Sequence, residues 1–369
     1  MESRQVKKVA IIAGTRPEVI KLAPVVTALN QLTLPLKTCL IHTGQHRELA
    51  DEAWSLFGLL PDYHLQVMTD NQALDALTGR ILQALSPVLQ SEKPDLVLVQ
   101  GDTVSALAGA MSAFFHGIPV GHVEAGLRSG DKFQPYPEET NRVLISRLTD
   151  LHFAPTASAR QNLLNESIPD HNIWVVGNPV VDSLQLISSN GVLPFQKTSP
   201  HFIIATVHRR ENQGDRLTRI CRALQNVAAI PDVELVIPVH PNPRVRTVVE
   251  TILGDMPSVR LLPPMAYPAF IGLLQACSLI ITDSGGIQEE ATVLGKPVVL
   301  LRELTERPEA VASQVVKMVS LNEDAILTEV KQLLENPSYY AQRSRPTPVF
   351  GDGKSGMVIA QLVARYLSG

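Results

Sequence analysis

Two stretches of this chain follow one plan: PDLVLVQGDTVSALAGAMSAFFHGIPVGHVEAG from residue 94, and ACSLIITDSGGIQEEATVLGKPVVLLRE from residue 276. Each runs from a short apolar strand to an acidic residue beside glycine, then a helix, then G-x-P-V and another strand. Strands alternating with helices in this way lie parallel, because a helix-length crossover returns every strand in the same direction. The same alternation opens the chain, where VKKVAIIAG precedes TRPEVIKLAPVVTALN. Thr15 and Glu18 stand three apart and can form a capping box, with Pro17 in the first turn, so the spacing predicts a helix directly after the strand. A second round of strand signals opens at HFIIATVHRREN, after the loop-like SSNGVLPFQKTSP of residues 188–200. The plan occurs only twice at long separation, which marks one α/β unit in each of two domains and not a solenoid.

A chain of 369 residues suits two cores. The boundaries read from the sequence are 1–187 for an N-terminal Rossmann-like domain, 188–353 for a C-terminal one, and 354–369 for a terminal helix, SGMVIAQLVARYL, returning to the first. Doubly wound sheets bind ligands at the carboxyl ends of their strands. The expected architecture is therefore two Rossmann-like α/β domains facing across a cleft that gathers the polar turns.

Composition narrows the partners. A net charge of -4 offers no broad basic surface to nucleic acid, so any anion site must be local. Cys39, Cys221 and Cys277 form no CxxC pair, which predicts reduced, mostly buried thiols and neither a disulfide framework nor a zinc site. The run VAIIAG is too short for a signal segment and no later run reaches membrane-spanning length. These features predict a cytoplasmic, enzyme-sized protein with no membrane partner.

Four motifs carry chemistry. In ITDSGGIQEE, Ser284 can cap, Gly285 and Gly286 let the backbone come close, and the following helix offers N–H groups and its positive dipole end to a phosphate. A ligand-free tight turn explains that motif equally well; Glu289 and Glu290 suit hydroxyl groups better than phosphate. Neither a Walker loop nor the GxGxxG fingerprint is present, which argues against a nicotinamide-dependent oxidoreductase. AGTRPEVIK puts Arg16 and Lys21 at a strand-to-helix turn, where cations could hold a departing diphosphate, although either could be a surface charge. TVHRREN repeats that layout with His208, Arg209 and Arg210, and lacks the HxH or HExxH spacing of a metal site. No metal or other cofactor is expected.

The last motif is GHVEAGLRSGDKFQPYPEETNRVL, residues 121–144. Asp102 and Glu124 follow neighbouring strand-like runs and should emerge at one sheet edge. With Glu138 they form a set of acids whose repulsion raises some pKa values towards catalytic use; a set of helix caps is the plainer reading.

In order and number these motifs, from AGTRPEVIKLAP through TGQHRE, GDT, GHVEAGLRSGD, PEETNR, TVHRREN, PVHPNP and DSGGIQEEATVLGKP to TERPEAV, resemble those of the non-hydrolysing UDP-N-acetylglucosamine 2-epimerases. The resemblance spans nearly the whole chain and implies a two-Rossmann architecture of the GT-B type. It implies interconversion of UDP-N-acetylglucosamine and UDP-N-acetylmannosamine by elimination of UDP to a 2-acetamidoglucal and re-addition from the other face, for cell-surface polysaccharide. Carried over position by position, Arg16, Lys21, His208, Ser284, Gly285, Gly286 and Arg307 would hold the UDP phosphates, Glu290 the ribose and Phe270 the uracil. Asp102, Glu124 and Glu138 would be the acid/base carboxylates, with His208 near the leaving group, Arg142 orienting Glu138, and Glu139 a helix-start residue. Gln45, His46, Arg209 and His240 match a second, allosteric UDP-N-acetylglucosamine site of bacterial relatives. HVEAG, where hydrolysing relatives carry HGGE-like motifs, points to the non-hydrolysing branch. The resemblance also implies a homodimer. A glycosyltransferase of the same architecture and a non-catalytic nucleotide-sugar sensor are the competing readings.

Overall fold

The computed structural model describes residues 6–45, 47–69, 72–189, 195–207, 209, 212, 214–240 and 242–369. The expected site residues His46 and His208 lie outside them. By backbone contacts the chain divides into one unit of Met1–Gln185 with Phe350–Gly369 and another of Leu186–Val349. The expected linker is partly helical, because the last helix of the first unit runs on to Ser189.

The first unit begins with β1 (Lys7–Ala13), α1 (Arg16–Gln31), β2 (Leu36–His42), α2 (Arg47–Leu56), β3 (Tyr63–His64), α3 (Leu74–Glu92) and β4 (Leu96–Gln100). It continues with α4 (Val104–Phe115), β5 (Val120–Val123), α5 (Glu138–Leu148), β6 (Leu151–Ala154), α6 (Ala157–Asn165), β7 (Ile173–Val175) and α7 (Pro179–Ser189). The second unit holds β8 (His201–Thr206), α8 (Asp215–Ala228), β9 (Val233–Pro238), α9 (Pro243–Leu253), β10 (Val259–Leu262), α10 (Tyr267–Ala276) and β11 (Leu279–Thr282). Then come α11 (Gly285–Leu294), β12 (Val298–Leu300), α12 (Pro308–Ala312), β13 (Val316–Met318), α13 (Glu323–Glu335) and α14 (Pro337–Arg343), and α15 (Ser355–Ser368) belongs to the first unit again.

Both sheets are parallel throughout, in the orders β3-β2-β1-β4-β5-β6-β7 and β10-β9-β8-β11-β12-β13. Such strands are covered by helices on both faces, which is why Val9 to Ala13 and Leu96 to Val99 read as unbroken apolar runs and are wholly enclosed. Each sheet reverses its winding between its first and fourth strands, β1 against β4 and β8 against β11. The two stretches that share one plan occupy this same fourth-strand position in their two units.

The terminal helix α15 packs along α1. Gly356 makes that approach possible, since a Cβ there would come within 2.7 Å of the Pro24 carbonyl oxygen. Pro24 has no N–H for the Ile20 carbonyl one turn back, and the Ser183 hydroxyl donates to it instead at 2.5 Å. Asp182 accepts from the Ser355 and Gly356 N–H groups at 3.2 and 2.8 Å and so caps α15. All three cysteines are free and buried. Among the described residues no helix is long and apolar enough to cross a membrane.

Candidate functional site

In the first unit the turns after β1 and β4 emerge side by side, and Glu18 ties them together. Its carboxylate accepts from the Gly14 N–H at 3.0 Å and from the Thr103 hydroxyl at 2.7 Å. The capping box is only half formed: Thr15 occupies the N-cap position, but its side chain makes no capping bond. Burial pushes Glu18 from the ordinary 4.5 up to about 7, outweighing hydrogen bonds from Thr103, Thr15 and Gly14 that favour its charged form.

Asp102 follows β4 by two residues. Arg142 on α5 holds one of its oxygens through Nε at 2.8 Å and Nη2 at 2.5 Å, and through Nη1 holds Glu139 at 2.9 Å. The Asn141 amide donates to the Asp102 carbonyl at 2.8 Å. Glu139 is buried, and it also accepts from the Ser129 and Gly130 N–H groups at 2.9 and 3.1 Å. Glu139, expected as a helix-start residue, is thus also held by Arg142, which clamps Asp102 as well; Glu138, which Arg142 is expected to orient, is half-buried in the first turn of α5.

Glu124 follows β5 directly, on left-handed backbone with φ 67° that non-glycine residues adopt only where the surroundings enforce it. Its buried carboxylate pairs with the Lys21 ammonium and accepts from the Asn178 amide at 2.8 Å. Lys21, expected on the diphosphate, is thus the partner of a carboxylate. Asp102 and Glu124 each have a cation, and burial raises the proton affinity of Glu18. His122, two residues before Glu124, is enclosed and its Nε2–H donates to the Gly101 carbonyl at 2.7 Å. Burial lowers His122 to about 4, so it is neutral and fixes the turn before Asp102. Arg16 is half-buried at the start of α1, and Gln45 accepts from the Ser105 hydroxyl at 2.8 Å.

In the second unit the turn after β11 leads into α11. Ser284 is its N-cap residue by backbone, yet its side chain makes no capping bond, contrary to the expected cap. A Cβ on Gly285 would meet Arg307 Nη1 at 2.7 Å, Glu306 Oε1 at 3.0 Å and Arg209 Nη2 at 3.1 Å, whereas one on Gly286 would meet nothing within 4 Å. The helix N-terminus is therefore flanked by arginines and approachable at Gly286. Glu306 gathers those arginines: Arg307 lies at 2.6 Å, Arg302 at 2.8 Å and Arg209 at 3.6 Å. Arg307 also donates to Glu289 at 2.6 Å, so Glu289 orients a cation. Asp283 accepts from the Arg209 N–H at 3.0 Å and the Asn212 amide at 2.9 Å, fixing the turn after β8.

Glu290 is buried and accepts from the Tyr267 hydroxyl at 2.6 Å. Phe270 lies half-buried on the same helix as Tyr267. His240 is exposed, and its Nδ1 accepts from the Asn242 N–H at 3.1 Å. Glu18, Asn178, Arg302, Glu306 and Asp283 escaped sequence reasoning as site residues. GNP after an apolar run and the acid pairs of TERPE were the signals available for Asn178 and Glu306; Arg302 carried none.

Anchored carboxylates at one switch point, and an arginine-flanked helix N-terminus at the other, define an α/β protein of the nucleotide-binding class. Residues 29–364 match the family described as UDP-N-acetylglucosamine 2-epimerase. The UDP-N-acetylglucosamine 2-epimerase of Salmonella typhimurium is 45% identical over 373 residues, covering 97% of this chain and 99% of that protein. The Escherichia coli K12 protein of the same name is 45% identical over 362 residues, 94% of this chain and 96% of its own. Among solved structures, UDP-GlcNAc 2-epimerase from Neisseria meningitidis bound to UDP-GlcNAc superposes with a TM-score of 0.94 at 40% identity, covering 97% of this chain and 100% of that one. The chain belongs to the UDP-N-acetylglucosamine 2-epimerase family, whose members are isomerases.

Proposed function

We propose that this chain interconverts UDP-N-acetylglucosamine and UDP-N-acetylmannosamine by eliminating UDP and adding it back. The proton on sugar C2 is too weakly acidic for an ordinary carboxylate to remove unaided. When the C1–O bond breaks with its electron pair leaving on UDP, the C2–H electrons form the C1=C2 bond of a 2-acetamidoglucal and the base takes the proton. Re-addition of UDP at C1, with a proton delivered to the other face of C2, completes the inversion.

The observation that carries this reading is that Asp102 and Glu124 stand at the ends of adjacent strands β4 and β5, each held by its own cation and hydrogen bonds. Fixed acids of this kind suit proton transfer. In the reading, Asp102, Glu124 and Glu138 are the acid/base groups, while Lys21, Arg142 and Glu139 position them. Arg16, His208, Ser284, Gly285, Gly286 and the Arg302 and Arg307 pair neutralise the departing UDP, with Glu290 on the ribose and Phe270 on the uracil. The protein acts in the cytoplasm as a homodimer. A second UDP-N-acetylglucosamine, bound through Gln45, His46, Arg209 and His240, activates it.

Incubation with UDP-N-acetylglucosamine alone in heavy water tests the core of this. NMR should show UDP-N-acetylmannosamine with deuterium at C2 and a sigmoidal dependence on substrate. Turnover without deuterium at C2 rejects the proton transfer; no product without an added acceptor favours a glycosyltransferase or a sensor. A hyperbolic rate rejects the activator.

A further inference from the structure

At the far side of the first sheet, β2 and β3 run parallel with His42 in register with His64. In-register neighbours project to one face of a sheet, with strands about 4.8 Å apart. The two rings meet edge to face, centroids 5.5 Å apart. Asp51, in the second turn of α2, brings its Oδ1 to 3.1 Å from His42 Nδ1 and 3.8 Å from His64 Nδ1. Among the described residues this is the one group of three such side chains offering ligand atoms that all lie within 4.8 Å of one another.

Asp51 Oδ1 and both ring nitrogens of His42 are buried atoms without a hydrogen-bond partner, an arrangement that is costly unless something else satisfies them. Ligand atoms around a tetrahedral ion, each at about 2.0–2.1 Å from it, sit about 3.3 Å apart. The two short separations bracket that value, so small side-chain rotations would complete the set.

We propose that His42, Asp51 and His64 form a site for a borderline divalent transition ion of the zinc class. Two imidazoles and one carboxylate favour zinc, cobalt or nickel over magnesium or calcium. The side chains of Asp51 and His64 are 41% and 44% exposed, which leaves an entry path and an open fourth position. The ion would tie the edge strand β3, with its two residues, and helix α2 to the end of β2. It therefore acts on the stability of the first unit, and the turn after β2 that carries Gln45 rides on that clamp. The ligands stand at 42, 51 and 64, a spacing with no contiguous motif, which is why sequence reading passes over it.

The test uses the full-length protein, stripped with a chelator and dialysed. Zinc binding is measured by competition with a chromogenic chelator, cobalt binding by visible absorption, and unfolding by thermal melts with and without zinc. Wild type and the control His171→Ala, whose histidine is exposed elsewhere, should take up one tight zinc per chain, show cobalt bands and melt higher with zinc. His64→Ala and Asp51→Asn should weaken zinc by at least the 10- to 100-fold that loss of an outer-shell partner alone produces, and should abolish the zinc-dependent shift. His64 is exposed, so its removal leaves the fold intact. Equal zinc affinity in wild type and His64→Ala, or no tight binding in wild type, overturns the assignment.

Discussion

Replacing Glu18 by Gln should remove a pH dependence from the stability of the first unit. The folded chain holds this carboxyl at about 7 against an ordinary 4.5, because burial disfavours its charge more than its hydrogen-bond donors favour it. At about 1.4 kcal/mol per factor of ten in proton affinity, the difference corresponds to about 3 kcal/mol. The sign follows from which state binds the proton. Between 4.5 and about 7 the unfolded chain releases it while the folded chain keeps it, so the group's contribution is full below 4.5 and is lost as pH rises through about 7. Glutamine cannot ionise, and it preserves the shape: its carbonyl can accept from the Gly14 N–H, and its amide can donate to the Thr103 oxygen if that hydroxyl turns away. Hydrogen exchange of the enclosed β1 amides, compared between wild type and variant at each pH, reads the opening energy of this unit directly. The two proteins should agree within about 1 kcal/mol at pH 5, and the variant should be more stable by about 2–3 kcal/mol at pH 8. A difference that does not change with pH would show that Glu18 is ionised throughout and would refute the reasoning.

Two further predictions follow from the site. Asp102→Asn should lower kcat and deuterium incorporation by about 100- to 10,000-fold while UDP affinity, measured by calorimetry, holds; parallel loss of both would make Asp102 a folding or binding residue. Gly285→Ala should displace Arg307, whose Nη1 would lie 2.7 Å from the new methyl group, and should weaken UDP binding with about 1–3 kcal/mol of lost stability in the second unit; unchanged UDP affinity would remove the α11 N-terminus from the site.

Parallel sheets and two α/β units are legible because they depend on local alternation. An apolar run buried on both faces, a glycine turn and a following helix each leave their mark within a dozen residues. The acids at the strand ends are legible for the same reason. Once β4 and β5 are read as neighbours, Asp102 and Glu124 must emerge at the same edge. Glu18 shows the limit of such reasoning. Its spacing from Thr15 matches a capping box, and half of that box exists, but the burial that raises its proton affinity comes from packing against the β4 turn.

What the sequence alone determined is therefore the order of elements, the parallel direction of the strands and the edges where polar turns gather. Only the tertiary structure decided which charge answers which. Arg142 meets Asp102 across 40 residues of chain, Lys21 meets Glu124 across 103, and Arg307 meets Glu289 across 18. The same holds for His42, Asp51 and His64, brought together by a strand register and a helix. The physical reason is range: backbone preference and hydrophobic period act between near neighbours, whereas a buried charge takes as partner whatever opposite group the packed core brings within about 3 Å.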